Sequence, residues 1–554
     1  MLFISVGMGS LLFAIAKPKN LVFLILSGLF FQLLLIHFWG LFFATSTVFY
    51  AFNSGFSASL ILVYRKEIRI LFKQSFKDFQ NWRTFTKLIF GLIGIAALMQ
   101  SSVSPYLPDN ESYYIQSIRW VNEYGLVKGL ANIHPFFGQM SGWHLLQSSF
   151  NFGFWVDFLN DLNGFLLVVV AFFGFDRLNH FSKERNLPDL FIGFIFITSI
   201  FLFRFLDAPS PDLQVYLIFP LMVWIFINEF EKPSKEYIFL LFIFGLLLVL
   251  SKISSFPVLM LPIVLLFKSR EFKKAFPIVF MLCITALTAF CSKNYIITGY
   301  LLYPSNWLGE LVNPDWKMPG QLQQLYYDYT QFHAFNSPET ELEDFKNWSP
   351  LTKFQKWVFS PKLHGFFNQL ILALLITFPL WIRKNKAFFW IYLTGFCQFM
   401  ILYFTSPQYR FFFHIILVLG LIVVSLQIQQ FRLRKLKSLL LFSIILVFVP
   451  LTFNINFKAF TNNKFMRTTT KTFKISYLLK PHKNSQYEYK YKEITEGNFK
   501  YNSPVNTHLW LTGDGQLPAV NQLMVNFFKE EIQLRPQLRS ERIKDGFISL
   551  KTEE

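Results

Sequence analysis

Long apolar segments recur through almost the whole chain, and they constrain its fold more than any other feature. Runs of about 15–22 apolar residues follow one another as far as about residue 454. Of the 554 residues, 53% are hydrophobic and only 15% are charged, whereas soluble domains have about 25% charged residues. These values exclude a single water-soluble globule and a disordered chain.

The apolar runs predict an all-α polytopic membrane protein with about fourteen transmembrane helices. A hydrocarbon core of about 30 Å requires about 20 apolar residues, and several runs are shorter than that. The predicted spans cover residues 2–16, 21–41, 44–64, 85–104, 162–176, 188–206, 213–230, 237–251, 256–267, 276–297, 365–382, 387–405, 411–428 and 438–454.

The net charge of +19 is unevenly distributed between alternate connections. Clusters such as those in 65–87 and 268–274 are strongly basic, and the connections between them are slightly acidic. Basic loops remain in the cytoplasm, so the charge is a topology signal and nucleic-acid binding is not expected. The long loops 105–161 and 298–364 and the tail 457–554 are then periplasmic, in a bacterial inner membrane.

Composition divides the chain into three parts. Residues 1–84 hold the N-terminal spans and a basic cytoplasmic loop, and residues 85–456 form the transmembrane core. The polar, Lys-rich tail 457–554 is predicted to be a small α+β appendage, with a strand over 487–491 by alternation and a helix around 519–531.

The first long loop contains two carboxylates shortly after a span, Asp109 and Glu111. The following segment, Ser112–Tyr124, has apolar residues at helical spacing and ends at Gly125, which predicts an amphipathic helix along the membrane face. A carboxylate at this depth can accept a proton from an incoming hydroxyl. Alternatively, Asp109 is only an N-cap and Glu111 an acid favoured by the helix dipole.

Isolated charges elsewhere are further candidates. Arg204 lies in an apolar run, where it either faces a cavity or pairs with Asp207. Asp212 follows a few residues later and is a further candidate. Lys252 and Arg410 are the basic residues of short periplasmic connections, where a cation suits a lipid phosphate. The alternative for both is snorkelling to lipid head groups.

No nucleotide-binding, nucleophile-elbow or metal-ligand motif is found in the sequence. His134, His144 and His333 have no metal-ligand spacing. No cofactor or bound metal is therefore expected, although the sequence does not decide whether a divalent metal takes part. Asp514, in a turn-rich segment of the tail, is expected to be a turn residue.

An ordered series of motifs resembles the GT-C superfamily of glycosyltransferases, in its mannosyltransferase and aminoarabinose-transferase-like branch. The series covers roughly 85–460 and comprises Pro108-Asp-Asn-Glu-Ser-Tyr113, a Gly245-x₆-Lys252-x₄-Pro257 pair of spans, an Asn294-to-Pro304 exit and Arg410. A larger set of sequence segments is similar to an uncharacterised family of bacterial multi-span envelope proteins. This second similarity implies no activity.

The GT-C resemblance implies inverting transfer from a polyprenyl-phosphate sugar, with an acid of the first periplasmic loop as the base. Asp109 is the matching acid, with Glu111 assisting or replacing it, and Lys252 and Arg410 fall where that group binds lipid phosphate. The chain departs from the pattern in three ways: Asn110 separates the acids, three spans precede the motif loop, and the tail is different.

The leading hypothesis is a glycosyltransferase of the cell envelope that acts on a lipid-linked sugar donor and a glycan, lipid or protein acceptor within membrane lipids. It requires Asp109, Glu111, Lys252 and Arg410 to line one cavity. Tyr113 and Arg119, together with Arg204 and Asp212, complete the predicted binding residues. Two alternatives remain: an oligosaccharide polymerase or ligase using the 298–364 loop, and a non-catalytic glycan transporter or scaffold.

Overall fold

The chain is built mainly of helices, with short strands near its C-terminus. The computed structural model describes residues 1–153, 157–335, 340–429, 433–461 and 469–552. In these residues the α-helices are α1 Leu2–Gly9, α2 Leu21–Gly40, α3 Thr47–Val63, α4 Arg65–Gln80, α5 Thr84–Ser102, α6 Ile115–Glu123, α7 Gly142–Ser148, α8 Leu162–Glu184, α9 Leu187–Gly193, α10 Ser199–Phe203, α11 Asp212–Glu229, α12 Lys235–Ser251, α13 Met260–Lys268, α14 Phe272–Thr298, α15 Gly320–Ala334, α16 Leu342–Lys346, α17 Pro350–Val358, α18 Lys362–Thr377, α19 Ala387–Thr405, α20 Tyr409–Ile428, α21 Leu433–Val447, α22 Val449–Thr452 and α23 Gln522–Ile532.

Shorter turns of helix connect several of these elements. Asn110–Tyr114 is a π-helical turn that leads directly into α6. The 3-10 segments are Ser10–Ala14, Leu130–Asn132, Pro135–Gln139, Phe194–Thr198, Ile253–Leu259, Gly309–Leu311, Phe378–Lys384, Phe457–Ala459, Ile475–Leu478 and Ile543–Asp545.

Eight helices in the described part of the chain are long and apolar enough to cross a membrane, which supports a multi-pass membrane protein. A ninth span results if α3 and α4, which meet at an 84° bend, count as one. The eight are α2, α5, α8, α11, α14, α18 with its continuation to Lys384, α19 and α20.

The predicted count of fourteen spans is therefore not reached by full-length helices. The predicted spans 2–16, 188–206, 256–267 and 438–454 correspond to apolar helices of 10–17 residues, and 237–251 corresponds to the 17-residue α12. Hydropathy did not reveal the backbone breaks, because a 3-10 segment is as apolar as the helix it interrupts.

The N-terminal helices α1 and α2 pack backbone against backbone. A Cβ atom added at Gly28 would lie 1.8 Å from the Ser5 carbonyl oxygen, and one at Gly9 would lie 2.1 Å from the Leu24 carbonyl oxygen. Small residues permit this close approach, which is how apolar helices associate where no water drives them together.

The first long loop folds into the body of the protein. Its helix α6 is buried on most sides and ends at Glu123, two residues before Gly125, whose φ of +79° is left-handed. A Cβ atom at this position would lie 2.7 Å from the Gly40 carbonyl oxygen at the end of α2. The expected helix is therefore present, but it is covered by protein and does not lie open on a membrane face.

The tail forms two antiparallel hairpins around α23. Strand β1 (Tyr491–Glu496) pairs with β2 (Phe499–Pro504), and β3 (Leu534–Leu538) pairs with β4 (Phe547–Lys551). An α+β tail was predicted, but its first strand begins at Tyr491 and does not cover 487–491. Tyr487 and Tyr489 have no partner strand opposite them among the described residues, and pairing begins at Tyr491, which lies opposite Pro504 of β2.

We expect Gly28→Ala to lower the stability of the protein, because the added methyl group cannot fit between α1 and α2 without moving one of them. Overpacking of this kind costs about 1–3 kcal/mol. The measurement is the melting temperature of the purified protein in detergent.

Gly91→Ala is the matched control for this substitution. Gly91 lies inside α5, and a Cβ atom there would have no neighbour within 4 Å. This variant should melt at or above the wild-type temperature, since alanine is the better helix former. Equal melting temperatures for the two variants would contradict the close packing of α1 and α2.

Candidate functional site

A chamber of about 480 Å³ lies where the ends of α11, α12 and α20 meet the first long loop. The 298–364 loop and the tail form the rest of its wall. Six of the eight predicted site residues line it: Asp109, Tyr113, Arg204, Asp212, Lys252 and Arg410.

Asp109 and Arg410 form an ion pair on the chamber wall. The Arg410 guanidinium donates from Nη1 to Asp109 Oδ2 at 2.6 Å and from Nε to Gln408 Oε1 at 3.0 Å. Asp109 makes no side-chain capping bond to the turn that follows it, so the N-cap alternative does not describe it. Arg410 opens α20, where the helix dipole disfavours a cation, and the carboxylate compensates for that position.

Lys252 and Asp212 form a second ion pair beside the first. Asp212 opens α11, where the dipole favours an acid, and Lys252 immediately follows α12, where it favours a cation. The ammonium donates to the Asp212 carboxylate and lies 3.9 Å from the centre of the Phe411 ring. The side chain of Asp212 is 3% exposed and that of Lys252 is 18% exposed, so the pair is largely removed from solvent.

Arg204 lies behind these pairs and is held by aromatic side chains. Its guanidinium donates to the Tyr409 hydroxyl, and its carbonyl accepts from the Tyr106 hydroxyl at 2.9 Å. Burial raises the pKa of Asp207 well above its ordinary value, which disfavours the charged form of this carboxyl group. This disfavours the alternative in which Asp207 serves as the counter-charge of Arg204.

Glu111 and Arg119 do not line the chamber, which corrects the expectation that they share it with Asp109. The Glu111 carboxylate accepts from Ser485 Oγ at 2.7 Å and from the Gln486 amide at 2.8 Å, both in the tail. Arg119 pairs with Asp514 of the tail at 2.6 Å. Asp514 thus has a partner across the interface, in addition to its expected place in a turn.

The tail completes the chamber through a short segment that docks on the first long loop. The amides of Thr512 and Gly513 donate to the Glu111 carbonyl at 2.9 and 2.8 Å. Two residues earlier, Trp510 lines the chamber and its ring stacks on that of Phe136 with centroids 5.1 Å apart. The loop and the tail therefore hold each other in place at the edge of the site.

Three chamber residues were missed by the sequence interpretation: Lys293, His333 and Trp510. Lys293 lies within the predicted span 276–297 but was not singled out as a site residue. It is 5% exposed inside α14, and a lysine in an apolar run was the available signal. Burial, with a contribution from His508, lowers the pKa of His333 to about 4, against the opposing effect of Asp109. His333 is thus a neutral imidazole at neutral pH.

No group of three or more His, Cys, Asp and Glu side chains in the described ranges is arranged to hold a metal ion.

A comparison with family models gives one match to the chain. A family model described as a domain of unknown function (DUF8201) matches residues 1–417, which contain the apolar core and most of the chamber. No curated protein and no solved structure shows significant similarity to the chain.

Docking of the tail is expected to weaken as the pH rises towards neutrality. Burial raises the pKa of Glu111 from 4.5 to about 7, although the bonds from Ser485 and Gln486 oppose the shift. Between these two values the docked form binds more protons than the released form, so the stability of docking falls with pH and levels off above about 7. Hydrogen-exchange protection of the Thr512 and Gly513 amides, measured from about pH 5 to about pH 8, reports this change.

Glu111→Gln should abolish most of this pH dependence, because the neutral amide does not titrate. Glu493→Gln is the control, since Glu493 lies in the same tail but is 60% exposed and pairs only with Lys500 on the surface. That variant should retain the wild-type profile. Identical pH profiles for wild type and Glu111→Gln would refute this role of Glu111.

Proposed function

The chain belongs to the DUF8201 family, and we propose that it is a membrane glycosyltransferase that takes its sugar from a phosphate-linked polyprenyl carrier. The acceptor is a glycan, lipid or protein of the cell envelope. The observation that supports this most is the convergence of Asp109, Arg410, Lys252 and Asp212 in one chamber, at the ends of apolar helices.

The chamber suits a ligand that is anionic at one end and apolar at the other. Its cations lie beside an apolar wall that includes Leu250, Ile253 and Ile401. Ile253 and Ile401 are also 38% and 40% exposed, so this wall reaches the outer surface of the helices. A polyprenyl chain lying there would remain in the membrane while its phosphate contacts Lys252 and Arg410.

Binding of the donor would release the catalytic acid. Arg410 is held by Asp109, and a phosphate oxygen competes for the same guanidinium through bidentate hydrogen bonds. Asp109 then has a free carboxylate oxygen at the chamber wall. Asp109 is therefore released from its ion pair only after the donor has arrived, which limits loss of the sugar to water.

The reaction itself forms one bond and breaks one. The acceptor oxygen attacks the anomeric carbon, the bond from that carbon to the phosphate oxygen breaks, and the carrier leaves as its free phosphate. Asp109 accepts the proton of the acceptor hydroxyl, and Lys252 and Arg410 stabilise the negative charge that develops on the leaving phosphate.

Aromatic side chains on the far side of the chamber form a surface for the acceptor. Phe136, Tyr326 and Trp510 all line it, and the rings of Phe136 and Tyr326 lie 6.0 Å apart. Tyr326 and His333 come from the 298–364 loop, so the alternative polymerase or ligase would use the same chamber with more of its chemistry on that loop.

We extend the proposal to topology and fold class. The short apolar helices would lie in the membrane beside the eight long ones, giving a GT-C-like arrangement. The ends of α11 and α12 opposite the chamber are joined by a connection that holds Lys232 and Lys235. Under the positive-inside rule that connection is cytoplasmic, which puts the chamber and the tail on the periplasmic face of the inner membrane.

Asp109→Asn should lower sugar transfer by about 100-fold or more, since a general base contributes about 10²–10⁴-fold. The measurement uses purified protein in proteoliposomes, a panel of radiolabelled polyprenyl-phosphate hexoses and pentoses, and extracted envelope acceptors. Carrier binding should persist, because Lys252 and Arg410 remain.

Glu123→Gln provides the matched control, because Glu123 lies on the same loop in α6 but outside the chamber. It should transfer sugar at the wild-type rate. Transfer by Asp109→Asn at the control rate would remove Asp109 from the mechanism. Loss of envelope function on deletion of the tail, with no effect of any chamber acid, would instead favour the scaffold.

A further inference from the structure

The chamber contains more positive than negative charge. Its lining residues include the cations Arg204, Lys252, Lys293 and Arg410 and the acids Asp109 and Asp212. Two histidines also line it, His364 and His333, and His333 is neutral at neutral pH. The four cations exceed the two acids by two positive charges. Buried charges require partners, so the ligand that fills this chamber is expected to supply about two negative charges.

Lys293 forms no salt bridge to a carboxylate among the described residues. Its side chain is buried in α14, and its ammonium donates to the Met140 carbonyl at 2.6 Å. An ammonium has three N–H groups, so two remain available. Because the residue lines the chamber, a ligand there can reach them.

Two hydroxyl groups on the chamber wall also lack hydrogen-bond partners within the described residues: Ser251 Oγ and Tyr303 Oη. Ser251 is 4% exposed and Tyr303 is 2% exposed, so neither is satisfied by bulk solvent. A buried polar group without a partner is uncommon and requires an explanation, and both of these residues belong to the chamber lining.

One backbone segment gathers these three donors. Gly138 lies directly against the Tyr303 ring, the Met140 carbonyl holds Lys293, and the Ser141 hydroxyl donates to the Ser251 carbonyl. Ser251 is followed immediately by Lys252, which forms the ion pair with Asp212. Lys293, Ser251 and Tyr303 therefore all contact one segment of the chamber wall, and that segment lies beside this ion pair.

We propose that Lys293, Ser251 and Tyr303 bind a second phosphate group, so that the carrier recognised by this chamber is a polyprenyl diphosphate. This inference rests on the proposed function for the lipid nature of the ligand and deepens it by naming the linkage. The first phosphate lies at Lys252 and Arg410, and the second lies at the Lys293 subsite. When it is linked to a sugar, this carrier is a diphosphate diester with two negative charges, which equals the excess positive charge of the wall.

The test measures binding to the full-length protein in nanodiscs by native mass spectrometry, with decaprenyl phosphate and decaprenyl diphosphate as probes. The wild type should bind the diphosphate at least about 10-fold more tightly, as expected for one added charge-assisted contact. Lys293→Met should remove this preference and leave the affinity for the monophosphate unchanged. Lys252→Met should weaken the binding of both probes.

Three results would overturn the inference. The first is equal wild-type affinities for the two lipids, and the second is an equal loss of affinity for both lipids in Lys293→Met. The third is inorganic pyrophosphate binding as tightly as the lipid diphosphate, which would indicate a site for free diphosphate. Should Lys293→Met fail to fold, Tyr303→Phe removes a single hydroxyl group and should reduce the preference by several-fold. An unchanged preference in Tyr303→Phe would likewise count against the subsite.

The binding test is independent of sugar transfer. If Asp109→Asn transfers sugar normally while the diphosphate preference depends on Lys293, the proposed catalysis fails and the subsite stands. If transfer depends on Asp109 but the two lipids bind equally, only the diphosphate assignment fails.

Discussion

Charge pairing at the ends of apolar helices is the constraint on which the site depends. Removing a charge from water costs several kcal/mol unless a partner replaces the solvent. Asp109 balances Arg410 across 301 residues of sequence, and Asp212 balances Lys252 across 40. These two pairs join the first long loop to α20, and α11 to α12. The chamber exists because the helices must bring these partners together.

The same pairs that hold the chamber also make it responsive to an anion. An ion pair on a cavity wall can exchange one partner for a phosphate without leaving either charge unpaired, provided that the displaced acid finds a proton or a solvent contact. Asp109 is 26% exposed and meets that condition, whereas Asp212, at 3%, does not. Under the proposed function, Arg410 would therefore be the cation that changes partner, and Lys252 would stay paired with Asp212.

Much of the site could be predicted from the sequence, because isolated charges in apolar runs have few places to lie. Asp109, Arg204, Lys252 and Arg410 were identified in this way, and the structure brings them to one chamber. Which of Asp109 and Glu111 lines the chamber could not be predicted from their spacing. It depends on the π-helical turn at Asn110–Tyr114 and on Ser485, a residue 374 positions away in the tail.

The number of spans and the contribution of the tail to the chamber could not be predicted from the sequence, for a related reason. Hydropathy does not report where a helix bends, as at the 84° angle between α3 and α4, or where it changes to a 3-10 segment. The tail was interpreted as a separate appendage from its polar composition. Its contact with the chamber is made by Trp510 and Leu511. The burial of Trp510 against Phe136 is set by packing that no local pattern encodes.

The most direct test of the central claim is a cryo-EM structure of the protein with a polyprenyl phosphate bound. We expect phosphate density against Lys252 and Arg410, the Arg410 side chain withdrawn from Asp109, and lipid density leaving between Ile253 and Ile401. Phosphate density elsewhere on the protein, or an unbroken Asp109–Arg410 pair with the lipid in the chamber, would contradict the account.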